Sequence, residues 1–178
     1  MIPFFITIIL ELIILITLTI TLLILLRSII NGAIYYPSEK KNVEVIVKFL
    51  NIKPGEKIAD LGSGDGRIII ALARAGAEAH GYEVNPFLVR QSRKKIKDEG
   101  LSGKAFIHYQ SFWKADLSQF DAIAIYGLPN FLKRLGAKMQ REMKLGTRVV
   151  SNMFEFPGWI TAQKTEDRVY LYFLPQKT

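Results

Sequence analysis

Eight residues, Asp60-Leu61-Gly62-Ser63-Gly64-Asp65-Gly66-Arg67, constrain this chain more than any others. They follow a short apolar run, Lys57 to Leu61, and open an amphipathic one, Arg67 to Ala75, so they read as the turn from a strand into a helix. Glycines there permit tight backbone geometry and let a ligand approach the start of the helix closely. The same alternation continues downstream. Glu78 to Glu83 reads as a strand, Pro86 to Asp98 as a helix, Ala105 to Tyr109 and Ala122 to Tyr126 as strands, Pro129 to Met143 as a helix and Arg148 to Ser151 as a strand. Trp159 to Leu174 reads as a terminal hairpin. Upstream, Asn42 to Leu50 places Val43, Val45, Ile46, Phe49 and Leu50 at helical spacing, and Lys53-Pro54-Gly55 turns the chain. The pattern predicts an α/β fold: a Rossmann-like, doubly wound, mostly parallel sheet with a terminal antiparallel hairpin.

The first 26 residues obey a different rule. Residues 2 to 26 carry one charged side chain, Glu11, and as a helix Met1 to Leu26 would be roughly 37 Å long, enough to cross a hydrocarbon core. No basic segment precedes this run and no small-residue cleavage pattern follows it, so a transmembrane helix is expected rather than a cleaved signal. Arg27, Lys40 and Lys41 follow it, which by the positive-inside rule puts the N-terminus outside and the remaining chain in the cytoplasm. The expected division is an anchor over 1–27, a linker and substrate-side segment over 28–41, and one domain over 42–178. At 178 residues there is room for one sizeable core.

Beyond the apolar run, 24 Lys and Arg face 15 acids, a formal charge of +9 that favours anionic partners without choosing among membrane, nucleic acid and acidic protein. The absence of cysteine excludes cysteine nucleophiles, and no metal site is expected.

Around the glycine turn the spacing is G-x-G-x-G, and Arg67 stands where a dinucleotide fingerprint would have its third glycine. Asp60 before the turn and Asp65 within it would repel a pyrophosphate and suit a cationic ligand. Glu83, at the end of the second strand and 21 residues beyond Gly62, can accept two hydrogen bonds from a ribose. Together these features point to an adenosine-type cofactor.

The run from Asp60 to Gly66 resembles the first motif of class I S-adenosylmethionine-dependent methyltransferases. More narrowly, Tyr35-Tyr36-Pro37-Ser38, Tyr82-Glu83-Val84-Asn85-Pro86, Tyr126-Gly127-Leu128-Pro129 and the stretch from Ser151 to Trp159 resemble the ATP synthase c-subunit lysine methyltransferase family and its archaeal protein-lysine methyltransferase relatives. The resemblance implies S-adenosylmethionine as cofactor. Gly62 and Gly64 would line its methionine portion, Glu83 the ribose, Ser111 with Phe112 the adenine end, and Tyr126 to Pro129 would lie near the methyl group; Asp60, Ser63 and Asn85 are further cofactor-binding candidates. It also implies an N-terminal membrane segment. This chain has Gly127 and Asn152 where the relatives tend to have an aliphatic residue and a His.

Methyl transfer from a sulfonium to an amine needs alignment and a neutral amine rather than a strong base. Tyr35 or Tyr36, Tyr126, the carbonyl region of Leu128, Pro129 and Trp159 are the candidates for an acceptor channel that tolerates a methylated cation. Tyr36 and Trp159 are also candidates for plain packing, and His80 and His108 read as strand residues. A protein lysine, most readily one in a membrane-associated protein, is the expected acceptor. Nucleic acid is the first rival because of Arg90, Arg93, Lys94, Lys95 and Lys97, but the Asn/Asp-Pro-Pro-aromatic pattern of base-flipping amino-methyltransferases is replaced here by Tyr126-Gly127-Leu128-Pro129. Lipid amines form a third acceptor class, and a non-catalytic cofactor-binding module is the reading outside catalysis.

Overall fold

The computed structural model describes residues 4–30 and 37–174. One seven-stranded sheet carries the domain, in the order β3-β2-β1-β4-β5-β7-β6. Its strands are β1 (Lys57–Leu61), β2 (Glu78–Glu83), β3 (Ala105–Tyr109), β4 (Ala122–Tyr126), β5 (Arg148–Asn152), β6 (Gln163–Lys164) and β7 (Val169–Phe173). β1 to β5 run parallel, and β7 enters antiparallel beside β5 with β6 on its far side. The order turns back at β1, where chain connections leave in both directions, and such a switch point opens a crevice at the carboxyl ends of the strands.

Period-two alternation assigns the sheet's side chains to two cores. Ile58, Ala79, Ile107, Ala122, Ala124 and Val150 face a layer made by α2 (Lys40–Leu50), α3 (Arg67–Arg74) and α4 (Pro86–Asp98). Ala59, Leu61, Ile123, Ile125 and Val149 face the opposite layer, where Leu132, Leu135 and Met139 of α5 (Pro129–Glu142) meet Phe120, Phe156 and Tyr172. The predicted doubly wound α/β sheet is therefore the observed one.

Small departures from the sequence reading have local causes. α2 begins at Lys40, two residues early, because the carbonyl of Glu39 accepts from the amide of Val43. The hairpin is shorter than Trp159 to Leu174. Trp159 stacks on Phe156 (4.4 Å between centroids) instead of entering a strand, and only Gln163 and Lys164 pair with β7. His80 and His108 sit side by side on β2 and β3, with Nδ1 and Nε2 3.1 Å apart, and stack against Phe106 and Tyr82. Burial, with the neighbouring His80 and Arg93, lowers the pKa of His108.

The apolar N-terminal run forms α1 (Phe4–Ile30), which ends three residues beyond the anchor expected from sequence. Phe4–Leu23 is long and apolar enough to cross a membrane, and none of it is buried against the domain, so it is not a core helix of this fold. Thr7, Thr17, Thr19 and Thr21 donate to carbonyls three or four residues earlier at 2.8 to 2.9 Å. A hydroxyl bonded in this way needs no water.

α2 fastens the start of the domain to the sheet through Val43, Ile46 and Leu50. Leu50 is fully buried. Leu50→Ala is expected to lower the stability of the domain by about 2–5 kcal/mol through the cavity left behind, read as a lower midpoint in denaturant unfolding; a midpoint unchanged from wild type would show that α2 is not part of the cooperative core.

Candidate active site

The glycine turn lies where the crevice opens. Gly62, Gly64 and Gly66 all have positive φ (96°, 54° and 82°), a region that L side chains rarely occupy, so the turn is built from residues that can enter it at little cost. The amides of Gly62 and Ser63 donate to the carbonyl of Tyr82, which ties the turn to the end of β2 (both 3.0 Å). Glu83 completes the link. Its Oε2 accepts from the Gly64 amide at 3.0 Å, and its Oε1 accepts from the amides of Val84 and Asn85 at 2.8 and 2.7 Å. A carboxylate has about four acceptor positions, so one remains for a hydroxyl in the crevice.

The acids named from sequence divide sharply. Asp65 is turned toward α3 and α4, where Arg67 grips it with Nε and Nη2 (both 3.0 Å) and Lys95 adds a third contact at 2.7 Å. Burial works against its charge, but the hydrogen bonds from Arg67 and Lys95 outweigh this and hold its pKa at about 2. Asp65 therefore carries no open negative charge toward a ligand, contrary to its use in the sequence argument. Asp60 is the reverse. It is buried at the end of β1, and burial, together with the charges of Glu83 and Asp65, raises its pKa to about 8. A buried acid among acids is stabilised by a cation.

The other predicted cofactor residues are mostly at the same edge. Asn85 caps α4 by accepting from the Phe87 amide at 3.0 Å, so its side chain shapes the helix start while its own amide holds Glu83. Ser111 and Phe112 follow β3, and Phe112 is buried in edge contact with Phe131 of α5. Ser63 differs, since its buried hydroxyl lies against Gly81 and has no hydrogen-bond partner among the described residues.

On the acceptor side Tyr126 ends β4 beside Asn152 of β5 and meets Phe154 edge-on at 6.1 Å. Met153, with φ of 78°, turns the chain so that Phe154 can reach it. Leu128 caps α5 and is 42% exposed, with Pro129 in the first helical turn. Gly127 is explained by a neighbour: a Cβ there would lie 2.6 Å from the ring of Phe131, so a larger residue would require that ring to move. Trp159 has its ring against Phe156, Tyr172 and Gly136, in the layer of α5. Tyr35 and Tyr36 lie outside the described residues.

One network was invisible in the sequence. The Asn152 side-chain amide donates to Ser38 Oγ, its carbonyl oxygen accepts from Asn42, and Arg67 donates to the carbonyl of Ser38 at 2.7 Å. Asn152 thus clamps Ser38 and Asn42 to the end of β5. Its partners are 110 and 114 residues away, beyond the reach of any local spacing.

The sheet order, the glycine turn and the acid at the end of β2 define a Rossmann-like methyltransferase fold. The profile of the ANTKMT methyltransferase domain matches residues 60–163, and the chain belongs to that family. It is 38% identical over 135 residues to the ATP synthase c-subunit lysine N-methyltransferase of Rattus norvegicus, covering 76% of this chain and 62% of the relative. It thus spans less than two thirds of that relative's length. It is 34% identical to the protein-lysine N-methyltransferase of Saccharolobus islandicus, covering 79% of this chain and 92% of that one. Among solved structures, an RNA methyltransferase from Salinibacter ruber in complex with S-adenosyl-L-homocysteine superposes with a TM-score of 0.77 at 29% identity, over 80% of this chain and 96% of the other.

Replacing Asp65 with Asn would leave Arg67 and Lys95 facing a neutral group, at an expected cost of about 2 kcal/mol for hydrogen bonds to charged partners. Because the folded-state pKa of Asp65 lies below its ordinary value, its contribution is present above pH 4 and is lost as pH falls toward about 2. Denaturant unfolding across that range should show the wild type losing its advantage over Asp65→Asn, whereas parallel curves would contradict the pairing.

Proposed function

We propose that the chain is an S-adenosylmethionine-dependent methyltransferase that methylates a lysine amine in a membrane-associated protein. The observation that carries the cofactor reading is the acidic environment of Asp60 beside a bare glycine turn whose neighbour Glu83 keeps an open acceptor. Family membership and the lysine methyltransferase relatives support the reaction, and the membrane proteins named in relatives such as the c-subunit enzyme support the acceptor class. When bound, S-adenosylmethionine supplies an electrophilic methyl group beside a sulfonium. In this reading Asp60 faces its cationic end, Gly62 and Gly64 leave room for the methionine chain, Glu83 takes a ribose hydroxyl, and Ser111 and Phe112 border the adenine. Tyr126 and the carbonyl region of Leu128 orient the incoming amine, and the rings of Tyr126 and Phe154 exclude water while tolerating the methylated cation. No side chain acts as a strong base; the amine arrives neutral.

In the same proposal α1 spans the membrane, with the N-terminus outside and the domain in the cytoplasm, on the side of Arg27, Lys40 and Lys41. The division into an anchor over 1–27, a linker over 28–41 and a methyltransferase domain over 42–178 belongs to this reading. Tethering raises the effective concentration of acceptors held in the same bilayer.

Incubating the full-length protein with membrane extracts and radiolabelled S-adenosylmethionine should place label on lysine of a small membrane protein, identified by mass spectrometry. Label recovered only in lipid or nucleic acid would replace the acceptor class, and binding without label would leave a cofactor-binding module. Tyr126→Ala should retain cofactor binding and abolish transfer; full transfer would remove Tyr126 from the site.

Asp60 adds a pH signature. With a ligand-free pKa of about 8, its carboxyl is protonated at pH 6, and a cationic ligand favours the ionised form. Binding should release a proton and tighten by up to about tenfold per unit from pH 6 toward 8, with Asp60→Asn flattening the profile. A wild-type affinity that does not rise with pH would contradict this placement.

A further inference from the structure

The strongest remaining feature lies on the same edge of the sheet as the site, at its β3 end. Pro86, Val89, Arg90, Arg93 and Tyr109 line a hollow of about 290 Å³. Phe87 stands beside it, 71% exposed, at the start of α4. Most of the basic run on α4 is already engaged: Lys94 pairs with Asp98, Lys95 with Asp65, and Arg93 binds the carbonyl of Ile107 through Nε and Nη2. Arg90 has no ion pair among the described residues. The hollow therefore joins an uncommitted guanidinium, the remaining Nη1 of Arg93 and a half-exposed phenol ring to an exposed aromatic side chain. Arg groups of this kind take a phosphate diester, and an exposed aromatic beside them suits the boundary between headgroups and acyl chains.

The path of the chain says which surface this is. Ser38 is held at the carboxyl end of β5 by Asn152 and Arg67. From Ile30, the last residue of α1, to Pro37 there are seven peptide steps, which span at most about 25 Å. The crevice edge is therefore held close to the end of α1. The hollow lies on that same edge, four strands from β5, or about 19 Å at ordinary strand spacing. α2 and α4 also pack on the same face of the sheet.

We propose that this edge docks on the anionic lipid surface of the membrane that holds α1, with Phe87 entering the headgroup region and the Arg90–Arg93 hollow taking a lipid phosphate. The proposal rests on the reading of α1 as a membrane span. Docking turns the mouth of the site toward the bilayer, so that lysines close to the membrane surface are presented and lysines on distant soluble domains are not.

Because the chain contains no cysteine, single substitutions can carry a polarity-sensitive fluorophore at one place. The full-length protein would be reconstituted into phosphatidylcholine vesicles, with or without phosphatidylglycerol, carrying shallow or deep nitroxide-labelled lipids. Probes at Leu15→Cys in α1, Phe87→Cys, and Leu145→Cys, an exposed apolar site at the opposite edge, report the outcome. The expected result is deep quenching at position 15, shallow quenching at 87 that increases with phosphatidylglycerol, and none at 145. Adding Arg90→Gln to the Phe87→Cys chain should lower the docked-to-undocked ratio about fivefold, the effect of one cation near an anionic surface. Quenching at 15 with none at 87, or equal quenching at 87 and 145, overturns the docking and leaves the span intact. No quenching at 15 overturns the span and the docking with it. A probe at 87 that responds to added RNA and not to lipid makes this edge a nucleic-acid surface and overturns the proposal.

Discussion

The carboxylate of Glu83 holds two strand ends together. By accepting from Gly64 across the crevice and from Val84 and Asn85 on its own strand, it fixes the glycine turn of β1 against the end of β2. These are charge-assisted hydrogen bonds to backbone amides in a buried position, among the stronger polar contacts a protein makes. With the turn fixed, α3 and α4 start in defined places, and the crevice at the sheet's switch point has a floor of bare backbone.

Charge within the crevice is divided rather than pooled. Asp65 is neutralised by Arg67 and Lys95, and Arg67 also reaches the carbonyl of Ser38, so one ion cluster joins the turn, α4 and the segment before α2. Asp60 receives no such cation among the described residues, and its raised pKa records the cost. The consequence is a site that is electrostatically incomplete in one place, beside Glu83. Ser38, at the start of the described domain, closes the same edge through its hydrogen bond from Asn152.

Much of the fold was legible because its signals are local. Strand and helix alternation, the positive-φ glycines of the turn, Pro86 and Pro129 at helix starts, and the apolar run of α1 each act within a few residues. Of the candidate site, the placement of the glycine turn and Glu83 together at the carboxyl edge could be read from spacing, because that edge is set by where strands end. The direction of Asp65, the clamp at Asn152 and the ring of Phe131 over Gly127 could not, since each depends on packing that local spacing does not encode. Trp159 was ambiguous for the same reason: an aromatic near a sheet edge has the same local signature in a channel wall as in the stack with Phe156 that it forms.

In the proposed reading a sulfonium nucleoside occupies the crevice between the glycine turn and Glu83. Hydrogen exchange of the full-length protein, with and without S-adenosylmethionine, tests it most directly. Slower exchange is expected at the amides of residues 62–66 and 83–87, with little change at the far edge around residues 144–147. Protection absent from the glycine turn and the end of β2, in protein that remains folded, would contradict it.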